Sequence, residues 1–319
     1  MGKKTKDLPP IDLGKLSTYS LLDRQSKVGL SALGRAWDAA TGLAGWLDSL
    51  PDALAARDLR EVARAIARAR REDRLVVWGM GAHAIKVGLA PVLIDLIERG
   101  IVGALLVNGA CLVHDFELAF AGKTSEDVGA VLGEGAFGMA RETGTLVNRM
   151  INQGVARGLG LAESVGRGIL DGGFPHAGVS VLAAAARAGI PTCAVVAIGT
   201  DVLHMHAEAD GARIGEGAMR DFRLFTRVVA ALAGGVYLNV GSAVLLPEVF
   251  LKALSAARNL GHPVDGLTTA VLDFLPQYRA RVNVTERPTA GVGRGYYLTG
   301  PHEILVPLLA AAVRVELGT

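Results

Sequence analysis

The amino-acid sequence predicts an α/β fold, a doubly wound parallel sheet with helices on both faces. Three observations predict it. Five short apolar runs are spaced along the chain, each closed by a small or polar turn. Helix-patterned segments between them are long enough for crossovers. The 319 residues are 50% hydrophobic and 20% charged, which provides one large core and no compositional case for disorder.

Taken in order, the first element is a helix. Between Pro51 and Asp73, residues Leu54, Leu59, Val62, Ala63, Ile66 and Ala67 recur at helical spacing with arginines between them, the pattern of an amphipathic surface helix. Residues 74–80 form a short apolar run ending in glycine and methionine, the first strand. A helix is expected over 84–98, ended by Gly100. Strands are expected again at 102–110, 192–200, 235–241 and 266–274. The segment of about 125–191 is helical but interrupted by glycines such as Gly133, Gly154 and Gly172, so it reads as a helical insertion around the site. With no Pro- or Ser-rich linker and no fixed repeat, the expectation is a single α/β domain over 1–319 with an N-terminal helical extension of about 1–73.

Charge and cysteine usage narrow the class. The net charge is +2, and the basic run Lys3, Lys4 and Lys6 reads as a solvated tail, so nucleic acid is not an expected partner. Cys111 and Cys193 lie in or beside apolar runs, which suits buried reduced thiols and a cytoplasmic protein. No uninterrupted apolar stretch reaches the roughly 20 residues of a spanning helix, so no membrane partner is expected.

Ligands of open α/β sheets bind beyond the carboxyl ends of the strands, so the residues after each run carry the functional reading. They are Gly79, Gly81 and His83; Asn108 and Gly109, then His114, Asp115 and Glu117; Gly199 and Asp201, then His204, His206, Glu208 and Asp210; Gly241 and Ser242; and Asp273. Small residues there let a phosphate or sugar approach backbone amides. Neither a Gly-x-Gly-x-x-Gly fingerprint nor a Walker loop follows the first run.

The order of these turns resembles deoxyhypusine synthase and its bacterial relatives, over most of the chain from about Arg74 onward. The likeness rests on the glycine turn after the first strand, Asn108-Gly109-Ala110, Gly199-Thr200-Asp201, the glycines from Gly234 to Gly241, and Thr269-Ala270 with Asp273. The resemblance implies an NAD-binding fold, a homotetramer, and oxidation of a small amine by NAD followed by group transfer. In that family the group is held on a lysine near the carboxyl end. This sequence has no lysine after Lys252, and arginine is no nucleophile at ordinary pH.

The leading expectation is therefore an NAD-dependent oxidoreductase or transferase acting on a small amine or related metabolite. Gly79, Gly81, Asn108, Gly109, Asp201, Gly241, Ser242, Thr269 and Asp273 would surround NAD. His114, Glu117, His204 and His206 would supply acid/base chemistry. A second expectation is a metal-dependent hydrolase or lyase: if 204–210 is extended, His204 and His206 share a side, and Asp210 and His83 complete a set of divalent-metal ligands. A third is a non-catalytic nucleotide-binding protein.

Overall fold

The computed structural model describes residues 8–319; the Lys3, Lys4 and Lys6 run lies outside them. Six strands form one sheet: β1 (Val76–Met80), β2 (Ala104–Asn108), β3 (Thr192–Val195), β4 (Val236–Val240), β5 (Thr268–Asp273) and β6 (Arg294–Thr299). All neighbours pair in parallel, in the order β3-β2-β1-β4-β5-β6. The order reverses between β1 and β4, so a crevice opens above their carboxyl ends.

Alternation along each strand sends side chains into two cores. Val76, Trp78 and Met80 join one with Leu105, Val107, Leu238 and Val240, while Val77, Leu106, Tyr237 and Val271 join the other. The first core is covered by helices Leu54–Arg71, Ala90–Glu98, Gly109–Ala121, Val181–Ala188 and His302–Leu317, the second by Gly211–Ala230 and Leu245–Asn259. Both faces of the sheet are therefore dry, which is why its strands read as continuous apolar runs.

Several boundaries differ from the sequence expectation, each for a physical reason. β3 stops at Val195 because its one partner, β2, pairs Asn108 with Val195 and then turns into a helix. β6 was not foreseen: it is an edge strand in which only Leu298 is buried, so it lacks an apolar run. The helix expected over 84–98 is two pieces, His83–Lys86 and Ala90–Glu98, separated by Gly88 at φ +83°. In the amphipathic helix Leu54–Arg71, residues Leu59, Val62, Ala63, Ile66 and Ala67 are buried as expected, whereas Leu54 is exposed at the first position. Residues 8–41 contain only short 3-10 turns, and helix begins at Gly42.

Two buried carboxyl groups hold helices onto the frame. Asp115 accepts from the Ser180 hydroxyl and from the amides of Val181 (2.8 Å) and Leu182 (3.0 Å), capping the helix Val181–Ala188. The Asp221 Oδ2 accepts from Leu161 N (3.0 Å), Ala162 N (3.3 Å) and Ala194 N (2.8 Å), tying the helix Leu161–Asp171 to β3. The amides partly offset the cost of burial, yet burial still pushes Asp115 up to about 6 and Asp221 up to about 7.

Both groups thus bind a proton more tightly folded than unfolded, where a carboxyl titrates near ~3.9. Their contribution is complete below that value and is lost as pH rises through 6 and 7, by at most about 1.4 kcal/mol per pH unit for each group. Calorimetric melting is expected to show stability falling between pH 5 and 7, and Asp221→Asn should flatten that slope. An unchanged slope in the variant would show that Asp221 does not titrate in this window.

Candidate functional site

The centre of the site is where β1 and β4 end. Gly81 N donates to Val240 O (2.9 Å), carrying the ladder one residue past β1. A Cβ on Gly81 would lie 2.5 Å from Gly241 O, so only glycine lets the two strand ends approach this closely. Gly241 has φ +64°, and a Cβ there would lie 2.7 Å from the His302 ring. Asn108 caps the helix Gly109–Ala121 by accepting from Cys111 N (3.2 Å), with its amide nitrogen facing Gly81. Asp201, buried, lies against Gly109, where a Cβ would meet its Oδ2 at 2.1 Å. Ser242 accepts from Leu246 N (3.2 Å) at the head of the helix Leu245–Asn259, and the buried Asp273 accepts from Leu275 N (3.2 Å).

Seven of the nine residues expected around a cofactor therefore stand at the carboxyl edge. Gly79 and Thr269 do not. Gly79 lies inside β1, where a Cβ would meet the Tyr237 hydroxyl at 2.7 Å, and Thr269 is near the start of β5 with its hydroxyl donating to Val284 O (2.7 Å).

On the β5 side of the centre, His83 and His302 have ring centroids 5.2 Å apart, with Phe274 beside both. His302 is buried and its Nε2 pairs with Leu272 O (3.0 Å), so Nε2 carries a proton, while Nδ1 is buried with no partner. Burial, then the neighbouring His302, pushes His83 below the ordinary histidine value.

On the β2 side lies a cavity of about 220 Å³ lined by Lys86, His114, Glu117, Glu126, Thr200 and Asp201 among others. His114 and Glu117 are three residues apart on the helix Gly109–Ala121 and share a face, with His114 Nδ1 3.8 Å from Glu117 Oε2. Thr124 bridges them: its hydroxyl is 2.6 Å from His114 Nδ1 and 2.5 Å from Glu117 Oε2, while the Thr143 hydroxyl donates to Glu117 Oε1 (3.0 Å). Burial pushes His114 below the ordinary histidine value, with Glu117 opposing and Lys86 adding to the shift. Burial also raises Asp201, against the pull of His204 and Thr200. Thr124 and Thr143 were missed by sequence reasoning. No spacing signal links them to Glu117, because the contacts arise from chain reversal after Gly122, in the left-handed region at φ +68°.

The other acid/base candidates lie elsewhere. Residues 202–205 form a 3-10 turn, so the alternation assumed for His204 and His206 does not apply. His204 Nδ1 accepts from Gly199 N (3.1 Å), and His206 Nε2 pairs with Gly138 O (2.8 Å). Asp210 caps the helix Gly211–Ala230 through Ala212 N (2.9 Å) and Arg213 N (3.1 Å), and His83 sits with His302. Among the described residues no group of three or more His, Cys, Asp or Glu side chains is placed to hold a metal ion. The metal set of His204, His206, Asp210 and His83 is thereby corrected: each has a separate position or partner. Asp115 likewise faces the core rather than the cavity. No helix among the described residues is long and apolar enough to cross a membrane.

The fold and site define a class: a six-stranded doubly wound α/β fold with its crevice at the β1/β4 switch point. No family model and no curated protein matches the sequence. Among solved structures, AgrE in a ternary complex with ornithine and NAD+ is similar at 19% identity with a TM-score of 0.51, covering 81% of this chain and 32% of AgrE. A LOR/SDH protein from Methanococcus maripaludis S2 is similar at 13% identity with a TM-score of 0.51, covering 81% of this chain and 69% of that one. A protein described as a deoxyhypusine synthase from Entamoeba histolytica overlaps 87% of this chain and 95% of its own at 12% identity and a TM-score of 0.47, too low to carry weight. At these identities the likeness speaks to the fold alone. The chain spans about a third of AgrE's length.

The backbone contact at the crevice is testable. Gly81→Ala should destabilise the protein by about 1–3 kcal/mol in urea titration, because strand backbone rather than a flexible side chain must yield. Gly133→Ala, where nothing lies within 4 Å, should be close to neutral. Equal midpoints for the two variants would refute the close approach of β1 and β4.

Proposed function

We propose that this chain is an NAD-dependent enzyme that oxidises a small amine or related metabolite. The observation that carries the reading is the reversal of strand order at Gly81 and Gly241, beside a cavity that gathers ionisable side chains. The half-exposed backbone of Gly241 and the N-terminal turn of the helix Leu245–Asn259 fit a dinucleotide in the crevice. Gly81, Asn108, Gly241, Ser242 and Asp273 would hold it. When bound, NAD supplies a hydride acceptor.

The neighbouring cavity would take the substrate. Its ionisable lining contains three acids, Glu117, Glu126 and Asp201, against His114 and the one permanent cation Lys86, a balance that favours a cationic amine. His114 and Glu117 are the acid/base pair of this reading. AgrE, about a third of which overlaps this chain, was solved with ornithine and NAD+. A homo-oligomer, a tetramer by resemblance, also fits: between Leu8 and Trp37 eleven large apolar side chains are exposed, more than a monomer ordinarily presents to water.

Isothermal titration and native mass spectrometry are expected to give one NAD per chain with a dissociation constant below roughly 1 mM. The same protein should reduce NAD+, read at the NADH absorbance, with small diamines or basic amino acids. Failure to bind either NAD+ or NADH would overturn the reading; binding without turnover of any amine would overturn the substrate assignment and leave a nucleotide-binding protein.

A further inference from the structure

We infer that Thr124 is a positioning residue that fixes the tautomer of His114, so that the ring presents its Nε2 lone pair as a proton acceptor. The inference deepens the amine-oxidation reading above and rests on it for its catalytic meaning, but its geometry stands without any cofactor.

The proton count makes the argument. The Glu117 carboxylate only accepts: Oε1 takes the Thr143 hydroxyl proton at 3.0 Å, and Oε2 takes the Thr124 hydroxyl proton at 2.5 Å. A hydroxyl has one proton. With that proton directed to Glu117, the Thr124 oxygen can only accept from His114 Nδ1, 2.6 Å away, so Nδ1 must carry hydrogen. A neutral imidazole protonated on Nδ1 has a bare Nε2. The opposite assignment would turn two lone-pair-bearing oxygens toward each other at 2.5 Å with no proton between them.

Glu117 does not do this directly, because 3.8 Å separates it from Nδ1. The threonine is the link, and Thr143 holds the far oxygen of the carboxylate so that its near oxygen stays on Thr124. Burial of the ring favours its neutral form, the form that accepts a proton. The charged groups lining the same cavity are Glu117 on the ring's own helix, Glu126 on the following segment, Lys86 after β1 and Asp201 after β3. When Nε2 takes a proton from a substrate ammonium group, the nitrogen–hydrogen bond of the amine breaks and an imidazolium forms. Its charge faces the Glu117 carboxylate through Thr124, and no second proton moves.

The first test reads the ring nitrogens. In uniformly 15N-labelled protein, two-bond proton–nitrogen correlation spectra, with His114→Gln to assign the ring, should show His114 protonated on Nδ1 and bare on Nε2. Thr124→Val should abolish that pattern and Thr124→Ser should retain it. Thr124→Ala provides a second loss of the hydroxyl, without valine's added methyl, should the valine variant fold poorly. A wild-type ring protonated on Nε2 alone, or an unchanged pattern in the folded Val or Ala variant, overturns the inference whether or not NAD binds. Where an amine is turned over, Thr124→Val should lower kcat by at least about tenfold with KM changed less than about twofold, and serine should restore it. A KM effect with unchanged kcat would assign Thr124 to substrate binding instead and overturn the positioning role.

Discussion

The register of β1 against β4, Val76 opposite Val236 through Met80 opposite Val240, sets the position of everything at the carboxyl edge. Beyond that register the two chains must separate, one toward each face of the sheet, because the crossover after β3 moves the following helices to the opposite side. Two glycines allow the separation to begin abruptly. Gly81 still donates to Val240 while its Cα packs on the Gly241 carbonyl, and Gly241 turns through the left-handed region under His302. A side chain at Gly81 would force the strand ends apart beside Asn108, whose side-chain amide nitrogen faces that point and whose Oδ1 starts the helix Gly109–Ala121. The geometry of the cavity beyond depends on that helix start.

The helix Gly109–Ala121 divides its polar residues by angle. Asp115 and Glu117 are two positions apart, about 200° around the axis, and so point to opposite sides. Asp115 faces the core and caps the helix Val181–Ala188, whereas Glu117 faces the cavity beside His114, three residues earlier on the same face. Both are carboxyl groups in an apolar stretch of sequence, and the backbone period alone separates a capping role from a site position. The same principle accounts for the environment of the histidine: its helix is half-covered by the insertion, which brings Thr143 and Thr124 onto the exposed edge of Glu117.

The sheet was legible because its strands are buried on both faces, so hydrophobic patterning and glycine-bearing turns coincide at β1, β2, β4 and β5. β6 was not, because an edge strand with exposed Arg294 and half-exposed Tyr296 and Tyr297 carries no such pattern. At the site, Gly81, Asn108, Asp201 and Gly241 were legible from one rule, that residues following parallel strands meet at one edge. Gly79 failed the same rule because β1 extends past it, and Thr269, expected from the family resemblance, stands near the start of β5. Thr124 was invisible for a different reason: hydroxyl residues in loops are common, and only the reversal at Gly122 places this one between two side chains of the preceding helix.

The segment after β3 shows why composition overstated a metal centre. His204, His206, Glu208 and Asp210 stand at every second position, and an extended backbone would gather them on one face. The chain instead leaves the sheet at Val195 because β2 has no further strand to offer, and it must satisfy its own backbone groups. His204 and Asp210 accept local amide protons, His206 reaches the Gly138 carbonyl, and Glu208 accepts from the Thr145 hydroxyl. The polar side chains are thus engaged in closing an irregular segment onto the insertion. Asp201, just before that segment, behaves differently: it is buried at the head of the 3-10 turn 202–205 and lines the cavity.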